Sequence, residues 1–333
     1  MIIFSYFGVY VIGLPSLRDH AAGLFNLGNT CYSNAVSQCL AHTPLILESL
    51  LKKFEPKLIN FNNISGGLLL ESFAKLLNAI WTEESAIRPI SFHAQIGMLE
   101  EKFGNYTEQD SMEYLQFLLQ QLHNEFNLTC ETIPFVEFTD EGLKYWHAYL
   151  ANENSPIANI FAGQTVSAIC CQTCQRTSKN YQSFWDFSLP IPKNKNPSLQ
   201  DCFAQIFENG VLKDYTCENC HTKESIKTLR VSKWPEIMII QLIRFSAFEI
   251  NKIDKMVKCP ITLDFSKFGS NTKYNLYAIV NHFGNLNTGH YIAACKHPMS
   301  AKWYKYDDNI VTSIESKNVI TSNAYILFYQ KMQ

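Results

Sequence analysis

The sequence predicts an α+β fold, and three observations carry that prediction. From Leu24 to about Phe126 the apolar residues recur at helical spacing. From about Ile160 the pattern changes to short runs of β-branched and aromatic residues punctuated by Pro, Gly and Asn. Helical segments thus come first and strands later, without the regular alternation of a doubly wound sheet. At 333 residues, 47% hydrophobic and 17% charged, the chain can bury a sizeable core and is too apolar for intrinsic disorder.

Taken in order, the chain opens with an uncharged apolar stretch, Met1 to Leu17, within an N-terminal extension at 1–20. It lacks the basic start of a signal peptide, and Ser5, Gly8, Gly13 and Pro15 dilute it below a membrane span. An extension packed on the domain is the expectation, with membrane-proximal anchoring by residues 1–17 as the alternative. A helix should begin after a cap at Asn29 or Thr30 and end near Pro44. A second, over 110–126, carries Met112, Leu115, Leu118, Leu119, Leu122 and Phe126 on one face, and Asp110 with Glu113 resembles a capping box. Strands are expected over 184–191, 227–231, 237–245, 274–282, 290–296 and 324–329, with loops at 193–197 and 284–289.

Charge and cysteine usage narrow the function. The net charge of −2 lacks the basic excess of a phosphate-contacting nucleic-acid binder. Eleven cysteines, an odd number, include two C-x-x-C pairs, Cys171/Cys174 and Cys217/Cys220, with 42 residues between the pairs. Two such knuckles supply the four thiolates of one closed, structural Zn²⁺ site and leave no position for a reacting water. Cys170 and His221 adjoin the knuckles and could substitute as ligands. The pattern points to metal ligands and free thiols in a reducing compartment. Cys39, Cys130, Cys202, Cys259 and Cys295 read as core residues, and His20, His42, His93, His123, His147 and His297 as surface or satisfied core groups. No organic cofactor is indicated.

Cys31 follows the Gly28-Asn29-Thr30 turn at the start of a helix, where the helix terminus favours a thiolate. His290 opens a strand after a glycine-bearing loop, and Asp307 and Asp308 close a short strand that begins at Trp303. A thiol, an imidazole and an orienting carboxylate form the set used in covalent acyl transfer.

Four motifs in order resemble the ubiquitin-specific proteases, a papain-like family of deubiquitinating enzymes. They are 23–34 (GLFNLGNTCYSN), 109–115 (QDSMEYL), His282-Phe283-Gly284 with Gly289-His290-Tyr291, and 303–308 (WYKYDD). The resemblance runs from Gly23 to Gln333. It implies a catalytic domain over 21–333, with a helical thumb at about 21–130, β-rich zinc-bearing fingers at about 160–245 and a β-rich palm at about 246–333. It further implies Cys31 as nucleophile, His290 as general base and Asp307 as its orienting partner. Asp308 would assist, Asn26 would supply an oxyanion-hole amide, and Asp110 would hold the extended ubiquitin tail. His282 could line the cleft. The departures are Ser33 and Ala35 after Cys-Tyr, Thr288 before Gly289-His290, and Glu108 where many members have glutamine.

The expected activity is thiol-dependent hydrolysis of the bond after the C-terminal glycine of ubiquitin, by a monomeric, cytoplasmic or nuclear unit. Ubiquitin and ubiquitinated proteins are the expected partners, and nucleic acid is not. A protease for a ubiquitin-like modifier and a catalytically silent ubiquitin-binding scaffold are the alternatives.

Overall fold

A computed structural model of the chain describes residues 18–52, 59–60, 63–127, 138–245, 252–285 and 288–333. The apolar stretch 1–17, Cys130 and part of the 284–289 loop lie outside the described residues. The helical part runs α1 (Cys31–Ala41), α2 (Pro44–Leu47), α3 (Leu68–Thr82), α4 (Ile90–Leu99), α5 (Glu101–Gly104), α6 (Ser111–Phe126), α7 (Glu141–Asn152) and α8 (Pro156–Phe161). Helical structure therefore continues past the expected limit near residue 130.

The α1 helix is buried along its whole length. It ends where expected, because Pro44 occupies the first turn of α2, where its missing N–H is no loss. The α6 helix presents Met112, Leu115, Leu118, Leu119, Leu122 and Phe126 to the core, each side chain contributing about 1.5–3 kcal/mol by leaving water. Its start is half of the expected capping box. Asp110 accepts from the N–H groups of Met112 and Glu113 at 2.8 and 2.9 Å, whereas Glu113 turns away to Lys102 Nζ at 2.6 Å. Further along α6, the buried Glu125 caps α3, accepting from Leu69 and Leu70 N–H at 3.2 and 2.5 Å.

The strands are β1 (Gly163–Cys171), β2 (Thr177–Phe184), β3 (Asp186–Pro190), β4 (Gly210–Leu212), β5 (Ser225–Lys233), β6 (Ile237–Ile243), β7 (Thr262–Asp264), β8 (Lys273–Gly284), β9 (Gly289–Lys296), β10 (Trp303–Asp307), β11 (Ile310–Ile314) and β12 (Ala324–Lys331), with α9 (Leu199–Phe207) between β3 and β4. Two sheets result. The smaller has the order β2-β1-β5-β4; the larger runs β11-β10-β9-β8-β12-β6-β3, with β7 beside β8.

The expected fingers range of 160–245 divides between them. β3 and β6 join the large sheet because Ile237–Ile243 is apolar on both faces and is covered on both. Ile237 and Ile239 meet the helical core, while Met238, Ile240 and Leu242 meet a second core under α9. The same alternation along β9 turns Tyr291, Ala293 and Cys295 toward α1. The sheet is thereby fixed against the helix that begins at Cys31.

Candidate active site

The turn that feeds α1 is built from local bonds. Gly28 and Asn29 take left-handed φ values of 125° and 52°, which glycine accepts freely and asparagine tolerates. Asn26 Oδ1 accepts from the N–H groups of Gly28 and Thr30 at 2.9 and 3.0 Å. Thr30 is the N-cap, but its side-chain oxygen accepts from Leu27 N–H and from no N–H group of the first turn, which leaves those groups uncapped at Cys31. The Cys31 side chain is 5% exposed there.

His290 stands at the start of β9, next to β10, which ends in Asp307. Its Nε2 lies 2.7 Å from Asp307 Oδ1, and the Cys31 thiol acts on the same imidazole. These contacts, first that with Cys31 and then that with Asp307, raise His290 to about 9 against the opposing effect of burial. Lys305 Nζ approaches the other Asp307 oxygen at 3.5 Å. Cys31, His290 and Asp307 thus form one connected line across the seam between α1 and the large sheet.

Asp308 sits outside that line, in the turn after β10, with a left-handed φ of 51°. Its Oδ2 accepts from Asn26 Nδ2 at 3.0 Å and its Oδ1 from Asn34 Nδ2 at 2.8 Å. Asn26 therefore has one amide N–H on Asp308 and a second left over beside the thiol turn.

Asp110 is more engaged than its expected role suggests. Besides capping α6, its Oδ2 accepts from Tyr325 Oη at 2.7 Å and from Tyr291 Oη at 3.4 Å, joining α6 to β12 and β9. Tyr325 in turn takes a bond from Gln241 Nε2 at 2.7 Å. A cleft of about 200 Å³ lies over this network, lined by Cys31, Glu108, Asp110, His282, Gly289 and Tyr291. His282 is among the residues that line it. Burial, then the nearby Lys252, holds it down to about 4, so the ring is neutral, packed 4.6 Å from Tyr291 with its Nδ1 unpartnered.

Four residues of the site escape a reading of the sequence as site residues: Glu108, Asn34, Tyr291 and Tyr325. Glu108 is visible only as a departure from the family pattern, yet its carboxylate crosses the cleft to the Gly289 N–H at 2.9 Å. Tyr291 and Tyr325 read as strand residues, because nothing local signals that their hydroxyls meet Asp110.

At the far end of β1 and β5, the two knuckles meet. The sulfurs of Cys171, Cys174, Cys217 and Cys220 all lie within 4.8 Å of one another, the one such metal-competent cluster among the described residues. Cys171 and Cys220 are 3.5 Å apart and Cys174 and Cys217 3.7 Å. A tetrahedral zinc with bonds of about 2.3 Å requires sulfur separations of about 3.8 Å, so the four residues fit the ion. Cys170 and His221 do not join. Strand alternation turns Cys170 away from Cys171 and toward Gln175, and His221 serves the turn with its backbone N–H, which bonds Cys217 carbonyl at 2.9 Å.

Comparison with known proteins agrees with this geometry. Residues 22–329 match the family model described as ubiquitin carboxyl-terminal hydrolase. The chain is 37% identical to rat ubiquitin carboxyl-terminal hydrolase 2 over 331 residues and 36% identical to the human protein of that name, with 93% of this chain covered in each case. It spans about half of those relatives, 54% of the rat protein and 55% of the human one. Among solved structures, a Ubp8/Sgf11/Sus1/Sgf73 module bound to monoubiquitin matches with a TM-score of 0.80 and 26% identity, over 95% of this chain and 70% of that one. The same module bound to ubiquitin aldehyde matches with a TM-score of 0.79, 25% identity and the same coverage. The thiol–imidazole–carboxylate line, the four-cysteine knuckle pair and these matches identify the chain as a member of the ubiquitin carboxyl-terminal hydrolase family.

Proposed function

We propose that the chain is a thiol-dependent deubiquitinase that hydrolyses the bond after the C-terminal glycine of ubiquitin, acting on ubiquitinated proteins. The observation that carries the reading is the His290–Asp307 bond, whose imidazole the Cys31 thiol acts on, with Cys31 itself lining the cleft. Cys31, as thiolate, attacks the carbonyl carbon of the terminal glycine, forming the C–S bond and a tetrahedral oxyanion. The second Asn26 amide N–H and the uncapped N–H groups at the start of α1 would be the donors that meet that charge. A single such donor is worth about 3 kcal/mol. His290 gives its proton to the amine as the C–N bond breaks, leaving a thioester on Cys31. A water then attacks the thioester carbonyl with His290 taking its proton, and the C–S bond breaks to free ubiquitin and return the Cys31 thiolate beside the protonated His290.

Cys171, Cys174, Cys217 and Cys220 would hold one Zn²⁺, which ties the tips of β1 and β5 together and supplies structure there. The chemistry of a free thiolate suits a reducing compartment, and the ten described cysteines are all free of disulfides. A cytoplasmic or nuclear site of action follows from that reading. Among the described residues no helix is long and apolar enough to cross a membrane.

Hydrolysis of matched reporters, ubiquitin and a ubiquitin-like modifier each carrying the same C-terminal leaving amine, tests the proposal. Turnover of the ubiquitin reporter by the wild type and none by Cys31→Ala is the expected result. Turnover of only the other modifier moves the specificity, and ubiquitin binding without turnover makes the chain a scaffold.

A further inference from the structure

The link from Asp308 to the oxyanion amide has an origin one helical turn beyond the nucleophile. Asn34 lies three residues after Cys31 on α1 and is 3% exposed. Its side-chain amide faces acceptors alone. Nδ2 bonds Asp308 Oδ1 at 2.8 Å and approaches the carbonyls of Leu24 and Phe25 at 3.3 Å each. Those two carbonyls belong to the segment that leads directly into Asn26.

The same segment is tied to the Asp308 turn by its backbone. Leu24 N–H donates to the Asp308 carbonyl at 2.9 Å. A Cβ on Gly23 would stand 2.7 Å from the Asn309 backbone, so the two strands of chain are as close as a glycine permits. Asp308 then receives the Asn26 amide at 3.0 Å on its other oxygen. Asn34 thus bonds both ends of the bridge: the carboxylate that holds Asn26, and the backbone that delivers Asn26.

We infer that Asn34 is a positioning residue for the hydrolysis proposed above, acting through Asp308 to aim the Asn26 amide at the oxyanion. This rests on the deubiquitinase reading. Asn34 touches no reacting atom, and its requirement is for a donor: aspartate at this position has the same shape and would set an oxygen against the three acceptors that Nδ2 now meets.

Kinetics on the full chain test it through Asn34→Ala, Asn26→Ala and the double variant, using the ubiquitin reporter. Asn34→Ala should lower kcat by about tenfold, less than the hundredfold or more typical of an oxyanion donor itself. In the Asn26→Ala background the same change should do almost nothing, since the group it positions is gone. Alkylation of Cys31 by iodoacetamide, which develops no oxyanion, should keep its wild-type rate in Asn34→Ala, as should ubiquitin binding measured on a Cys31→Ala background. Asp308→Ala cuts the same bridge from the turn and should also be silent once Asn26 is alanine, which keeps the test decisive should Asn34→Ala fail to fold. Equal losses in both backgrounds, or a parallel fall in alkylation, overturn the inference and leave Asn34 a packing residue. A wild type that turns over no ubiquitin refutes the underlying reading, and this inference with it.

Discussion

Removing Asp307 separates what orients the imidazole from what charges it. The 2.7 Å bond to His290 Nε2 is charge-assisted, a class worth about 1.5–3 kcal/mol when dry. Here the two side chains are 42% and 34% exposed, and Lys305 Nζ at 3.5 Å shares the carboxylate, so solvent and lysine together reduce the loss. A loss of about 1–1.5 kcal/mol follows, or roughly 5–12-fold in kcat/KM at neutral pH for Asp307→Ala.

The pH profile carries the sharper test of the same variant. His290 is raised above its ordinary value to about 9, so its proton is in place at neutral pH and leaves as pH rises through about 9. The contact with Cys31 is the larger cause and survives the substitution. The alkaline limb of the reporter profile should therefore move below 9 in Asp307→Ala and stop short of the ordinary histidine value. An unmoved limb would mean that the carboxylate does not act on the imidazole. A limb displaced all the way to the ordinary value would show that Cys31 does not hold the proton.

Three further outcomes follow from the geometry. Asp110→Ala removes the α6 cap and the Tyr325 bond together, and should cost about 2–4 kcal/mol of stability in urea unfolding, with Asp110→Asn costing less; an unchanged midpoint with only KM altered would return Asp110 to a purely substrate-binding role. Metal analysis should find one zinc per chain, and Cys220→Ala should lose it while Cys31 alkylation persists, since the knuckles lie at the far end of a separate sheet. Buried His42 is held neutral by burial, down to about 4. Its ordinary value is higher, so the unfolded chain takes up the proton first as pH falls. Stability should be full above about 6.5 and decline by about 3 kcal/mol on acidification toward 4, a slope that His42→Gln should flatten.

The chemistry of the site was legible because Cys31, His290 and Asp307 lie in contiguous motifs whose residue types state their task. What they lean on was not. The Asp110–Tyr325 and Asn34–Asp308 bonds join positions 215 and 274 residues apart, and no local pattern marks a tyrosine or an asparagine as the partner of a distant carboxylate. Asp308 reads as the close of a short strand, but the strand ends at Asp307; only its left-handed backbone in the following turn, held against Gly23 and Leu24, points its carboxylate at Asn26.

The strands show the same division. β6 and β9 alternate between two cores and read clearly, whereas β2 is exposed along nearly its whole length and has no buried face to give it a period of two. α9 could have been found. Ser198 and Asp201 form a reciprocal capping box before Leu199, Cys202, Phe203 and Phe207, all buried, but nine residues among strands offer a short helical signal.

The proposed chemistry turns on Cys31 attacking the end of ubiquitin. Ubiquitin bearing a thiol-reactive electrophile at its C-terminus, incubated with the wild type and with Cys31→Ala, tests this directly by intact mass and peptide mapping. A mass gain of one ubiquitin, mapped to Cys31 and absent from the variant, is the expected result. An adduct on another cysteine, or none on a folded, zinc-loaded wild type, would contradict it.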